Sequence, residues 1–351
     1  MTNNTSSLVS FIIIARNADK YLPNILEDIL NQDYPMDKIE LILVDGKSED
    51  ETFSIMNNFK SIHSVFKIMV LNNPNKILAS GWNVALASSV GDIILRVDAN
   101  SRIPSDFVRK NVEGIMQGYS IVGGETSTRE SSEQKLNLVI LSELSKFGGS
   151  PASFRNLGRA RYVDTLAYAA YKRDVFETTG GYDERLVRTE DNEMHYRMKR
   201  SGFKFYYNPE IKSFHVPRSN LCALLKQKYS NGFWIGLTIG IQPRCFNLRH
   251  FIPFFFVVAL LVSILLGLAE ISWYPFVILF GIYLILALLF SFKSMKKINS
   301  NVKIICLGLS VVYFLMHFAY GFGTIIGLVK MPYFAWKNRN YQIPLPIKPK
   351  T

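Results

Sequence analysis

Residues 39–48 read Ile39-Glu40-Leu41-Ile42-Leu43-Val44-Asp45-Gly46-Lys47-Ser48: a short run rich in Ile, Leu and Val that stops at an aspartate and a glycine. A run this short, bounded by turn residues, reads as a buried strand. Three runs like it surround it: residues 8–14 (LVSFIII), 66–71 (FKIMVL) and 92–98 (DIILRVD). Helix-period segments at about 19–31, 49–60 and 77–88 separate them. Strands alternating with helices predict a parallel sheet of βαβ units. Ser48-Glu49-Asp50-Glu51 has capping-box spacing and predicts a helix starting just after the second strand. Further along, strands are expected at 120–125 and 162–170, a helix near 132–145, and a helix over 190–201 that stops at Gly202.

The composition changes at about His250. Of 351 residues only 19% are charged, below the roughly 25% of soluble domains. The deficit lies in residues 251–329. Residues 251–269 and 273–292 carry no charge and reach the length of about twenty that a bilayer crossing needs. Glu270-Ile271-Ser272 joins them, so a tight hairpin is expected. Residues 304–329 are also uncharged but include His317, Tyr320, Gly321 and Gly323. They are expected to fold as a re-entrant or interfacial pair that breaks near the two glycines, with one full crossing as the alternative. The net charge of +12 concentrates around these segments, as at Lys226, Lys228, Arg244, Arg249, Lys293, Lys296, Lys297, Lys330 and Arg339. Basic flanks of apolar spans point to anionic lipid on the cytosolic side and not to nucleic acid. An even number of crossings and a cytosolic tail follow. The start of the chain is not expected to be a signal peptide, because the first apolar run is only seven residues and β-branched. Three cysteines with no CxxC pair give neither a disulfide framework nor a zinc site.

The chemistry-bearing residues are acids at strand ends. In a parallel sheet, ligands bind outside the carboxyl ends of the strands. Asp45 ends the second strand and Asp98 the fourth, so both face one rim. Asp98-Ala99-Asn100 places a carboxylate and an amide oxygen two residues apart, which suits one hard cation held with diphosphate oxygens. Thr189-Glu190-Asp191-Asn192-Glu193 opens a helix, where acids are favoured by the helix dipole alone; the functional alternative is a carboxylate base. No GxGxxG and no Walker loop is present, so neither a dinucleotide fold nor a P-loop is supported.

The order of these motifs resembles inverting glycosyltransferases of family 2 with a GT-A fold, and among them the succinoglycan-biosynthesis type. The residues that carry it include Ala15-Arg16-Asn17, Asn31-Gln32-Asp33-Tyr34-Pro35, Val44-Asp45-Gly46-Lys47-Ser48, Asn83, Arg96-Val97-Asp98-Ala99, Gly181-Tyr182-Asp183-Glu184, Glu190-Asp191-Asn192-Glu193 and Pro217-Arg218-Ser219. The pattern departs where Ile14, Ala18 and Asn100 replace the family's Pro, Glu and His. The Gln-x-x-Arg-Trp motif of processive synthases is missing, which implies one sugar added per encounter.

The resemblance implies an α/β GT-A domain, Rossmann-like and mainly parallel, over residues 1–220. An amphipathic interfacial linker over 221–250, transmembrane or re-entrant helices over 251–330 and a basic cytosolic tail over 331–351 would follow. Asp45 would bind the nucleotide base, with Ala15, Arg16 and Asn17 lining base and ribose. Asn83, Ala99 and Arg218 would complete the nucleotide-sugar site, Arg218 facing the departing diphosphate. Asp98, Asn100 and His215 would hold a divalent cation, Mg²⁺ or Mn²⁺. Asp191 would be the catalytic base. The implied partners are a nucleotide-diphosphate sugar, a polyprenyl-diphosphate-linked acceptor glycan and membrane lipids, with a homo-oligomer or a polysaccharide assembly complex as protein company. The implied setting is a multi-pass protein of the bacterial inner membrane with a cytosolic catalytic domain, serving exopolysaccharide or capsule synthesis. A polyprenyl-phosphate sugar synthase and a noncatalytic nucleotide-sugar scaffold are the alternatives.

Overall fold

The computed structural model describes residues 7–63, 66–128, 137–149, 158–216, 220–295 and 303–347. It divides into two units. The first comprises Met1–Arg129, Ala152–Val216 and Tyr341–Thr351; the second comprises Glu130–Pro151 and Pro217–Asn340.

In the first unit, β1 (Val9–Ala15), α1 (Leu22–Leu30), β2 (Ile39–Asp45), α2 (Thr52–Ile62), β3 (Lys67–Asn72), α3 (Leu78–Ser88) and β4 (Ile93–Arg96) give the expected alternation. Then come β5 (Ser101–Arg102), α4 (Phe107–Met116), β6 (Ile121–Thr128), β7 (Arg161–Val163), β8 (Ala169–Lys172), α6 (Arg173–Thr179), α7 (Glu190–Arg200) and β9 (Phe205–His215); α5 (Leu138–Leu144) belongs to the second unit. Among the described residues the sheet has nine strands, in the order β3-β2-β1-β4-β8-β6-β9-β5 with β7 beside β9. β1 to β4 run parallel, whereas β8 is antiparallel to both β4 and β6. Every residue of β2 is buried, which is why this strand is apolar on both faces instead of alternating. Phe11, Ile13, Leu41 and Leu43 face one core with α1 and α4; Ile12, Ile42 and Val44 face another with α3, α6 and α7.

The register aligns Ala15 with Asp45 and Asp45 with Asn72, so these strand ends form a level rim. Two local expectations differ. Residues 162–170 hold two strands, because Asp164 and its neighbours turn the chain between β7 and β8. The capping box does not form: α2 starts at Thr52 with Glu51 as its cap and no side-chain cap bond. Ser48 is used by the rim instead, as described below.

In the second unit, α8 (Leu221–Thr238), α9 (Ile252–Leu268), α10 (Tyr274–Met295) and α11 (Lys303–Lys337) follow one another. Among the described residues three helical stretches are long and apolar enough to cross a membrane: Leu248–Leu268, Tyr274–Met295 and Cys306–Lys337, with mean hydropathies of 2.8, 2.5 and 1.6. The expected break at Gly321 and Gly323 is absent, and α11 is one continuous helix. Its glycines are packing positions. A Cβ on Gly321 would strike the Pro253 carbonyl, and one on Gly323 the Tyr229 carbonyl. In α8, Gly232, Gly236 and, just beyond its end, Gly240 meet Tyr320, Thr324 and Met331 in turn. Two helices therefore run parallel with their backbones pressed together, the small-residue geometry of close helix pairs. That packing outweighs the roughly 1 kcal/mol that each mid-helix glycine costs.

Candidate active site

At the rim, the segments after β1 and β2 are stitched together. Asp45 is buried, and its carboxylate accepts from the Ser48 amide at 3.2 and 3.3 Å. The Ser48 hydroxyl accepts from the Asn17 amide at 3.0 Å, and the Asn17 side-chain oxygen accepts from Glu49 at 2.9 Å. Asn17 and Lys47 both hold left-handed backbone (φ 51° and 56°), a conformation costly for residues with a side chain and common at functional sites. Gly46 permits the approach, since a Cβ there would stand 3.1 Å from Arg16 Cβ. Ala15 and Asp45 line this corner from below, with Arg16 and Asn17 exposed above it.

One buried cation joins the two remaining acids. Arg96, at the end of β4, is 3% exposed. It binds Asp191 with both terminal nitrogens: one to Oδ1, the other to Oδ2 at 2.9 Å. Its guanidinium lies 4.9 Å from the centre of the Trp82 ring, and it donates to the Tyr182 hydroxyl at 3.4 Å. Burial pushes the Asp191 carboxyl up, but Arg96 outweighs it and holds the group below the usual carboxylate range. Asp191 is thus ionised yet 39% exposed by side chain, which is what a base must be. Asp98 lies close enough to feel Arg96, Asp191 and His215; burial raises its pKa above the ordinary value, with Arg96 and His215 pulling the other way. Val216 N donates to the Asn100 carbonyl at 3.1 Å, tying the end of β9 to the Asp98-Ala99-Asn100 turn. Ala99 is buried beneath it.

Among the described residues no cluster of three or more His, Cys, Asp or Glu side chains could hold a metal ion by itself. Asp98 and His215, with Asn100 in the turn that follows Asp98, make a sparse donor set. Such a set fits a cation that takes its other ligands from a diphosphate and water, as Mg²⁺ does.

Glu190 faces inward beside Asp191, with Oε2 lacking a hydrogen-bond partner. Burial, reinforced by the Asp191 charge, pushes its pKa from 4.5 up to about 8. A carboxyl whose pKa is raised on folding adds stability that is fully present below about 4.5 and is lost as pH rises through about 8. Glu190→Gln should therefore melt higher than the parent at pH 8.5 and nearly with it at pH 5. Parallel melting curves across that range would contradict a buried neutral Glu190.

Asn83 does different work from that expected of it. Its oxygen accepts from Tyr182 N at 2.7 Å, and its nitrogen donates to Tyr182 O at 2.9 Å and Glu184 Oε1 at 2.8 Å. Its amide thus braces the turn at residues 182–184. Arg218 lies outside the described residues. Sequence reasoning missed Arg96, although an arginine inside an apolar strand two residues before Asp98 is itself a signal. It also missed Tyr168, whose hydroxyl neighbours Asp98, and the aromatic bed of Trp82 and Tyr182.

Residues 10–180 match the profile of glycosyl transferase family 2. The chain is 27% identical over 333 residues to dolichyl N-acetyl-alpha-D-glucosaminyl phosphate 3-beta-D-2,3-diacetamido-2,3-dideoxy-beta-D-glucuronosyltransferase of Methanococcus voltae, covering 92% of this chain and 98% of that one. It is 25% identical over 232 residues to the succinoglycan biosynthesis protein ExoA of Rhizobium meliloti, covering 65% and 68%. Among solved structures, the mannosyltransferase PcManGT of Pyrobaculum calidifontis, in complex with GDP-Man and Mn²⁺, shares the fold with a TM-score of 0.58 at 17% identity, covering 94% of this chain and 88% of that one. The α/β domain thus has a GT-A-like fold, and its residues 10–180 are those of a glycosyl transferase family 2 domain.

Proposed function

We propose that this chain transfers one sugar, with inversion, from a nucleotide-diphosphate sugar to a glycan carried on a polyprenyl phosphate or diphosphate. The observation that carries this reading is the convergence on Arg96 of Asp191 and Asp98, one opening a helix and the other two residues past the end of β4, not within the strand as its sequence suggested. The acceptor hydroxyl attacks the anomeric carbon as the bond to the diphosphate oxygen breaks. Its proton passes to the Asp191 carboxylate, and the electron pair leaves with the nucleotide diphosphate. A weak base suffices when proton loss is late, because the hydroxyl becomes acidic as its bond forms. Asp45 and the Asn17–Ser48 stitch hold the base and ribose. Asp98, Asn100 and His215 would hold the divalent cation, which stabilises negative charge developing on the leaving group. The Mn²⁺ bound to the Pyrobaculum mannosyltransferase and the dolichyl phosphate substrate named for the Methanococcus enzyme favour a divalent cation and a lipid-linked acceptor. A panel of nucleotide sugars offered with short-chain polyprenyl-linked acceptors tests the proposal; no sugar transfer from any donor, with intact nucleotide binding, would leave only a binding scaffold.

Membrane anchorage would bring the enzyme to the surface that carries its lipid-linked acceptor. The chain leaves the first unit after Val216 and rejoins it at Tyr341. One folded unit cannot lie on both sides of a bilayer, so the intervening helices cross an even number of times. α9 and α10 supply two crossings. The α11 stretch is the least apolar of the three candidates and the most buried, at 39% of its window against 22% and 11%, and it remains at the cytosolic surface with α8. In a variant lacking native cysteines, Ile271→Cys should react with an impermeant maleimide in intact cells, and Asn340→Cys only after lysis. Labelling of residue 340 without lysis would overturn this topology.

A further inference from the structure

The segment that follows α11 is no free tail. Residues 341–347 lie across the turn at residues 180–185, within the first unit. The Tyr341 hydroxyl accepts from the Glu184 amide at 3.0 Å, and the Tyr341 ring lies 4.7 Å from the Arg185 guanidinium. The Pro344 carbonyl accepts from the Gly181 amide at 2.8 Å. Ile347 is buried in the same core as Trp82, Phe176 and Tyr182. A Cβ on Gly181 would stand 2.9 Å from the Pro346 ring, so this glycine makes room for the strap.

The turn beneath the strap reaches the base by two routes. Tyr182 carries its hydroxyl to Arg96, which grips Asp191. The carbonyls of Thr179 and Gly181 accept from Arg197, which sits on α7 and pairs with Glu193. Asn83 and Asn75 fix Glu184 from the other side. We propose that residues 341–347 are a positioning strap: by clamping the turn at 180–185 they hold Arg96 and α7 in the geometry that presents Asp191. The strap begins four residues after the membrane-region helix α11 ends at Lys337. This inference rests on Asp191 being the base.

The test uses the full chain reconstituted in lipid nanodiscs and a chain stopped after Asn340. The stopped chain should lose at least tenfold in kcat, keep the donor KM within about twofold, and exchange amide hydrogens faster at residues 181–197 but not in β1–β3. Tyr341→Phe, which loses one hydroxyl without disturbing the fold, should lose two- to fivefold in kcat alone, and a Tyr341→Leu variant more. Unchanged exchange at 181–197, or equal loss in KM and kcat, would overturn the strap. If the stopped chain instead fails to fold, Tyr341→Phe decides: parent kcat there refutes the proposal. Full activity of Asp191→Asn alongside faster exchange in the stopped chain would mean that the base assignment, and not the clamp, is at fault.

Discussion

Asp191→Asn should lower turnover by at least ~10²-fold, the usual consequence of losing a positioned base, while donor affinity stays near that of the parent. The substitution keeps shape and one acceptor oxygen for Arg96. It removes the counter-charge of a buried guanidinium, so some stability goes with it. Asp191 is 39% exposed by side chain, so water screens part of the pair, and the cost should stay below the ~3–5 kcal/mol of a fully buried one. Melting temperature and nucleotide binding measured beside turnover separate chemistry from folding. Turnover near the parent value in a folded Asp191→Asn enzyme would shift the base to Glu190 or Asp164. Neither is well placed: Glu190 is held neutral near pH 7, and Asp164 is exposed and paired with Lys199 at 3.2 Å.

Chelation should have an effect of comparable size. Excess EDTA should reduce transfer by ~10²-fold or more, the scale of losing a preorganised electrostatic partner of the leaving group, and Mn²⁺ or Mg²⁺ should restore it. Asp98→Ala should weaken nucleotide-diphosphate binding and remove the response to added metal, read by calorimetry with and without Mn²⁺. Full transfer in EDTA would assign the leaving-group charge to arginine side chains instead.

The strands and the level rim were legible because buried parallel strands are apolar on both faces and end on acids; β2, from Ile39 to Asp45, is the clearest case. Asp191 stood out as a candidate only through its neighbours in the family pattern, since an acid in a first helical turn is ordinary. Arg96 escaped because its role depends on a partner 95 positions away, which no local period reports. Ser48 was misread for a related reason: its spacing to Glu51 suits a cap, but the left-handed Asn17 and Lys47 bring the Asn17 amide to its hydroxyl first. In α11, glycines read as breakers because what lies against them, α8 and α9, is set only in the folded chain. The strap at 341–347 had no local signal beyond its prolines, because its partners at 180–185 lie more than 150 residues earlier.

The glycine seam between α8 and α11 has a consequence for how the protein is made. α8 is synthesised about 100 residues before the end of its partner, and at roughly 5–20 residues per second the ribosome needs about 5–20 s to cover that interval. Throughout it, the face formed by Gly232, Gly236 and Gly240 has no helix to lie against. On the proposed topology the α9–α10 hairpin enters the bilayer in that interval, before the seam can close, and the membrane would keep α8 near the place where α11 will arrive. Nascent chains stalled short of residue 320 should leave α8 open to protease, and released full-length chains should shield it.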